Sequence, residues 1–425
     1  GGGWAAPAHP RGFQAPRAGA APRRPPPPPP RPAPRGRAPR LVDATDHTVL
    51  PGLWDAHTHP YLNTYGGREP RLLLAYGITG TASMGGFAYE QARLRESVDA
   101  RLVDGPRFLT TGELLDGSRV AYSMGRAHRT DDGMRRSLER AVALDQDFVK
   151  TYVRAPARFM AQAARTAHER LGVPSGSHLL TPGVQVGQDL TAHLSATQRQ
   201  EYGRVVSPTG RSYQDVHEIY RGGDFAIIIT PFSAYHLLGD DPELALDPRV
   251  TALMPPWDAA GVRRRAGTPV TEAQRQAVRI EMDVYRRILA DGGTLALGTD
   301  SPLTPVGLHL HLGLRALHRY AGLTPAQALR TATVAPARLF GLADDLGTVE
   351  PGKLADLTVV EGDPFRDFAD LVRTSWVMRD GVIHRSADLT GEAGRAAAPE
   401  RPPGRDEDWY AIGEALRRDG CRAAR

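Results

Sequence analysis

From residue 50 onward the chain repeats one unit, a short apolar β-rich run followed by a helical stretch. The runs fall near 53–57, 78–83, 107–111, 147–153, 173–178, 188–193, 224–230 and 294–299. Helical patterning covers 87–103, 133–144, 155–170, 272–291 and 324–338. Strands joined by helical crossovers pair in parallel, and eight such units predict an α/β fold of the (β/α)8 TIM-type barrel class. The stretch between 178 and 188 is too short for a full helix, so one crossover is reduced. Residues 231–269, rich in Pro and aromatics, form a long insertion after the seventh strand. Loops there lie over a barrel's active face, and a lid or substrate wall is expected.

The period changes at 345–385, where short strands and an Asp380-Gly381 turn signal a small β domain. The expected organisation is a Pro/Arg-rich tail over 1–40 and a barrel over 51–340. A small β-sandwich domain follows from 41–50 and 341–386, with a polar tail over 387–425 that holds a short helix near Trp409–Leu416. Residues 1–40 include six consecutive prolines at 25–30 and cannot bury a core, so disorder with some polyproline II is expected. The composition suits a linker better than a docking arm for a proline-recognising or acidic partner. The chain begins Gly-Gly-Gly rather than Met, which suggests a fragment or a processed product.

The formal charge of +5 does not imply a nucleic-acid partner. Residues 1–40 hold eight arginines and no acidic residue, and subtracting these leaves −3 for the remainder. The folded part is mildly acidic, so no basic groove follows. No apolar run reaches the roughly 20 residues a membrane span needs. The single cysteine, Cys421, excludes disulfides and cysteine-based zinc sites within one chain. A cytoplasmic location is expected, and a homo-oligomer is compatible with the sequence.

In a barrel, catalytic groups sit at the C-terminal ends of the strands. The first run ends in His57-Thr58-His59, and side chains at i and i+2 of a strand share a face, so both imidazoles can grip one metal. The later runs end at Lys150, His178, His193 and Asp300. Each has a bland alternative: a surface lysine, structural histidines, an N-cap before Pro302. Lys150 lies among Phe148, Val149 and Tyr152, and a buried unpaired ammonium is costly, so it should lose its proton or react. That all six fall at strand ends makes them the candidate metal ligands. His309-Leu310-His311 repeats the motif inside an apparent helix, where i and i+2 diverge, and is read as non-ligating. Tyr122, His128 and Tyr152 are candidate substrate contacts, while His217 and His236 rank lower.

Two segments resemble the amidohydrolase superfamily over about residues 41–386. Val49-Leu-Pro-Gly-Leu-Trp-Asp-Ala-His-Thr-His is similar to its first-strand signature. Gly322-Leu-Thr-Pro-Ala-Gln-Ala-Leu followed by Gly347-Thr-Val-Glu-Pro-Gly-Lys-Leu-Ala-Asp-Leu is similar to its C-terminal one. The nearest branch is prolidase-like and imidazolonepropionase-like, including the subset fused behind a Tol-type β-propeller. The resemblance implies two divalent metals, zinc first, with Mn, Fe, Ni or Co as alternatives. His57, His59 and Asp300 would hold one ion, His178 and His193 the other, with a carboxylated Lys150 between them. It also implies hydrolysis of a C–N amide-type bond in a small-molecule substrate (dipeptide, N-acyl amino acid or cyclic amide). A bridging hydroxide would attack, with Asp300 as general base and then acid. The alternatives are a mononuclear deaminase or imidazolone-type ring hydrolase, and a non-catalytic scaffold on the same fold. One departure concerns the family's strand-rich N-terminal segment. Residues 1–40 lack that pattern, so an incomplete small β domain or a truncated chain is expected.

Overall fold

The computed structural model describes residues 41–391, apart from 61–64, 66, 123, 195–213 and 222–223. The C-terminal helix expected near 409–416 lies outside the described residues. Fourteen strands are present among those described. In chain order they are β1 (His47–Pro51), β2 (Leu53–Thr58), β3 (Ile78–Ser83), β4 (Arg107–Leu109), β5 (Leu114–Asp116), β6 (Gly125–Ala127) and β7 (Val149–Lys150). The remainder are β8 (Ser175–Ser177), β9 (Leu190–Ala192), β10 (Ala226–Ile229), β11 (Leu295–Leu297), β12 (Leu357–Glu361), β13 (Thr374–Arg379) and β14 (Val382–Arg385).

All eight expected runs contain a strand, and these assemble as two parallel sheets ordered β2-β3-β4 and β7-β8-β9-β10-β11. No continuous closed sheet forms among the described residues, but backbone bonds link the two sheets at both edges. Thr110 O accepts from Asp147 N at 2.8 Å on one side, and His57 O from Asp300 N at 2.7 Å on the other. The sheets also share a core. Trp54, Ala56, Ala82, Leu109, Phe148, Leu190, Ala226, Ile228 and Ala296 meet in one buried cluster, with the helix Val334–Leu339 and Phe340 against them. The alternate residues Leu53, Ile78, Ile227, Ile229, Leu295 and Leu297 pack instead into the larger cluster with the helices. This two-face burial is why the strands read as continuous apolar runs rather than polar alternations.

The crossover at 178–188 is reduced, as expected, to a four-residue helix, Leu180–Gly183, and one 3-10 turn. The remaining architecture departs from expectation in two places. The predicted helix over 324–338 is two, Pro325–Thr331 and Val334–Leu339. The insertion at 231–269 is not a loop. It winds through Phe232–Gly239, Pro242–Leu246, Pro248–Ala252 and Pro256–Ala266, burying Leu237, Leu238, Val250, Leu253 and Val262 completely. The Arg249 guanidinium ties it down, donating to Ala75 O at 3.0 Å and to Val372 O at 2.8 Å and lying 4.0 Å from the Tyr76 ring centre.

The second unit is an antiparallel sheet ordered β1-β12-β13-β14. Its β13–β14 hairpin turns at Asp380 (φ 51) and Gly381 (φ 74), the pair of positive φ angles a type I′ turn requires. β1 joins the sheet from the N-terminal side and runs directly into β2. Thr358 Oγ1 fastens that junction by accepting from Leu53 N at 3.2 Å and donating to Gly77 O at 2.5 Å. Among the described residues no helix is long and apolar enough to cross a membrane.

Candidate metal centre

Two of the expected groups follow directly from strand alternation. Lys150 lies two residues beyond Phe148, and His178 two beyond Gly176, which faces Leu190, so both continue the face that lines the shared core. The others need a local break. The β2–β3 register shifts between Asp55 and Thr58, just where His57 enters. His193 takes φ 65 and Asp300 φ 59, left-handed conformations uncommon for residues other than glycine and concentrated at functional sites. Gly298 allows the closest approach in the cluster. A Cβ placed on it would meet His57 Cβ at 2.4 Å and His57 N at 2.6 Å.

The side chains converge. Asp300 Oδ1 lies 3.0 Å from His59 Nε2 and 3.3 Å from His57 Nε2, and its Oδ2 lies 3.5 Å from His193 Nε2. The His57 and His59 Nε2 atoms are 3.3 Å apart. His178 packs on this group, its ring centre 4.8 Å from that of His193 and 6.5 Å from that of His57. Lys150 Nζ lies 6.0 Å from the centre of the Tyr152 ring, which itself meets His178 edge-on at 4.5 Å. All six expected ligands are buried.

The protonation states suit a cation. Burial pushes the His57 and His178 imidazoles well below their usual range and His193 down to about 4, so all three are neutral at pH 7. Burial also lowers Lys150 to about 7, against the opposing pull of Asp300. Burial alone would raise Asp300, but the facing His57, His59 and His193 outweigh it and hold this carboxyl well below the usual carboxylate range. The second ring nitrogens are partly anchored. His59 Nδ1 bonds Gly85 O at 2.8 Å, and His193 Nδ1 bonds Thr230 Oγ1. Such bonds fix the tautomer and aim the other nitrogen.

This arrangement fits a metal. The ligand atoms of His57, His59 and Asp300 lie within 4.8 Å of one another, all on buried residues. Close by, Lys150 Nζ and His178 Nδ1 are buried polar atoms with no hydrogen-bond partner. Neutral imidazoles and a carboxylate are the donor set of zinc and its neighbours.

Comparison with known proteins agrees with the geometry. The amidohydrolase family profile matches residues 48–384. The chain belongs to the amidohydrolase family. An imidazolonepropionase from Geobacillus sp. (strain WCH70) is 26% identical over 357 residues, 76% of each chain. Among solved structures, molinate hydrolase superposes with a TM-score of 0.62 at 16% identity, covering 86% of this chain and 89% of that one. A Xaa-Pro dipeptidase with bound methionine in its active site gives 0.59 at 18% identity, covering 81% and 88%. Family membership makes this chain a hydrolase acting on C–N bonds, with a metal-binding His-His-Asp group.

The other expected residues divide. The Tyr122 and Tyr152 rings meet at 5.3 Å, tilted by 54°, beside His178. His128 has neither ring nitrogen to offer a substrate, since Nδ1 bonds Asp116 O at 3.0 Å and Nε2 bonds Ser137 Oγ at 2.8 Å. His217 Nδ1 lies 3.4 Å from the Asp291 carboxylate, and His236 is buried in the insertion. His309 and His311 sit on the helix Leu308–Arg319, where their Nε2 atoms bond different carbonyls, Pro231 O and Tyr76 O, and neither joins the cluster. Sequence reasoning missed Asp55, Thr230 and Phe232, whose ring stacks on His193 at 5.7 Å. Only Asp55 carried a signal, as a carboxylate inside an otherwise apolar strand.

Proposed function

We propose that this cluster is a dinuclear metal centre hydrolysing an amide-type C–N bond in a small molecule. The observation that carries the proposal is Lys150, whose amine is buried on β7 without a hydrogen-bond partner, near enough to Asp300 and to the His57, His178 and His193 imidazoles to shift their protonation. A lysine there is costly as an ammonium and useful as an anion. Its neutral amine forms an N–C bond to carbon dioxide and releases one proton, leaving a carbamate that can bridge two cations. His57, His59 and Asp300 would hold one ion, and His178 and His193 the second. Zinc is the first candidate, with Mn, Fe, Ni or Co accepted by the same donors. Bound ions supply Lewis-acid polarisation of a carbonyl and lower the pKa of water.

The chain's own groups do the rest. Asp300 accepts the proton of the attacking water and returns it to the leaving amine. His193 and His59, aimed by Thr230 and by the Gly85 carbonyl, keep the donor set rigid. Tyr122, Tyr152 and Phe232 exclude water from one side of the cluster. The two parallel sheets are read as arcs of one eight-stranded barrel over 51–340, and the antiparallel sheet as a small β domain from 41–50 and 341–386. Dipeptides, N-acyl amino acids and cyclic amides are the substrate classes to try first.

A second reading has its own support, because among the described residues only His57, His59 and Asp300 meet as a tight three-ligand group. That would suit a mononuclear ring hydrolase, and the similar Geobacillus chain is an imidazolonepropionase. Metal analysis separates the two. The dinuclear reading expects about two ions per chain, falling to one or fewer in Lys150→Ala, whereas one ion in both proteins would reject it.

A further inference from the structure

We propose that Asp55 is a positioning residue, which with Thr299 sets the geometry of both His57 and Asp300. The proposal rests on the reading of Asp300 and His57 as metal ligands. Asp55 lies two residues before the first histidine and has no solvent exposure. Its carboxylate faces neutral donors only. Oδ1 accepts from His57 N at 3.2 Å and from Thr299 N at 3.0 Å, and Oδ2 accepts from Thr299 Oγ1 at 2.6 Å. One carboxylate therefore grips the strand carrying His57 and the turn carrying Asp300.

Thr299 extends that grip across Asp300. Its hydroxyl donates to Asp55 and accepts from Ser301 N at 3.1 Å. Its carbonyl accepts from Thr304 Oγ1 at 2.8 Å. Asp300 thus sits at φ 59 between two residues tied directly or at one remove to the same carboxylate. The parallel ladder, with Asp300 N on His57 O at 2.7 Å and His59 N on Ser301 O at 2.7 Å, places the segment beside β2. A ladder alone does not select a left-handed residue, and such a conformation persists only where the surroundings over-determine it. Three donors aimed at one site also explain why an acid stands there. A carboxylate accepts on every lone pair, whereas an amide would present a donor to one of these groups. Burying a carboxylate with no cationic partner is expensive for stability alone. The cost is consistent with a role in aiming ligands.

Zinc affinity of the full-length protein tests this, measured by stripping the metal and titrating zinc ions against a chromophoric chelator. Thr299→Val keeps the shape and removes the hydroxyl bridge, and should weaken zinc binding by about 10- to 100-fold, the usual effect of losing an outer-shell partner. Asp55→Ala should do at least as much if it folds. Thr299→Ser, which keeps the hydroxyl, should restore wild-type affinity. Val377→Ala, a buried change in the antiparallel sheet, should lower the melting temperature and leave zinc affinity untouched. Wild-type affinity in Thr299→Val, equal loss in Thr299→Ser, or equal loss in Val377→Ala would each overturn the proposal. Failure of the wild-type protein to bind zinc would overturn the metal-centre reading as well, so the two failures are distinguishable.

Discussion

At the scale of single residues, the decisive contrast is between Asp300 and its neighbours. Asp300 is an ionised carboxylate within 3.5 Å of three imidazoles that burial holds neutral or that face it directly. Asp300→Asn keeps the volume and loses the proton acceptor. Turnover should fall by about 10²- to 10⁴-fold, the usual worth of a general base, with near-wild-type circular dichroism. Full activity in that variant would remove Asp300 from the chemistry. The six clustered side chains were legible in the sequence because strand ends are countable from apolar runs and because His, Lys and Asp are conspicuous there. Thr230 and Thr299 were not, since a threonine near a strand end is ordinary β-former composition. Their importance arises only when β9 meets β10 and β11 meets β2. Nor could the left-handed conformations of His193 and Asp300 be read from residue type.

At the scale of elements, the strand–helix alternation was legible because strands such as β10 and β11 are apolar on both faces. The helical nature of 232–266 was not, because its prolines, which read as loop, instead stand at helix starts such as Pro242, Pro248 and Pro256. Two predictions belong here. β11 approaches β2 through Gly298, so Gly298→Ala should force the strands apart. A cost of about 1–3 kcal/mol is expected from such overpacking, with reduced zinc content as the specific sign. Unchanged melting and full metal content would contradict the packing argument. The second concerns the helix Leu308–Arg319, where burial lowers His311 from 6.5 to about 3. A folded pKa below the unfolded one means that the unfolded chain binds the extra proton first. The stability is therefore complete above pH 6.5 and is lost as pH falls from there toward 3. His311→Gln can still donate to Tyr76 O and does not titrate, so its melting temperature should fall less than wild type between pH 6.5 and 4. Parallel curves for the two proteins would refute the assignment.

At the scale of the whole molecule, the candidate metal centre is also a seam. His57 and His59 belong to the three-stranded sheet, while Lys150, His178, His193 and Asp300 belong to the five-stranded one or its strand ends. Backbone bonds join the sheets at both edges, and within the seam imidazoles from both sheets meet one carboxylate. A cation held between them acts on folding as any ligand specific for the native state does. At free metal about a thousandfold above Kd, the stabilisation is about 4 kcal/mol. For a chain of this size, where each kcal/mol moves the midpoint by roughly 1–2 °C, removal should lower the melting temperature by on the order of 5 °C. Differential scanning calorimetry before and after chelation, then after adding zinc back, measures this directly. Loss and recovery of the shift would make the centre part of what holds the two sheets together. An unchanged midpoint would mean that the sheets are joined by packing and the edge hydrogen bonds alone. Lys150→Ala sharpens the test, because it removes the candidate bridge between ions while leaving the His57–His59–Asp300 group in place. Its chelation shift should be smaller than that of wild type if two ions span the seam, and equal if a single ion at His57, His59 and Asp300 does all the joining.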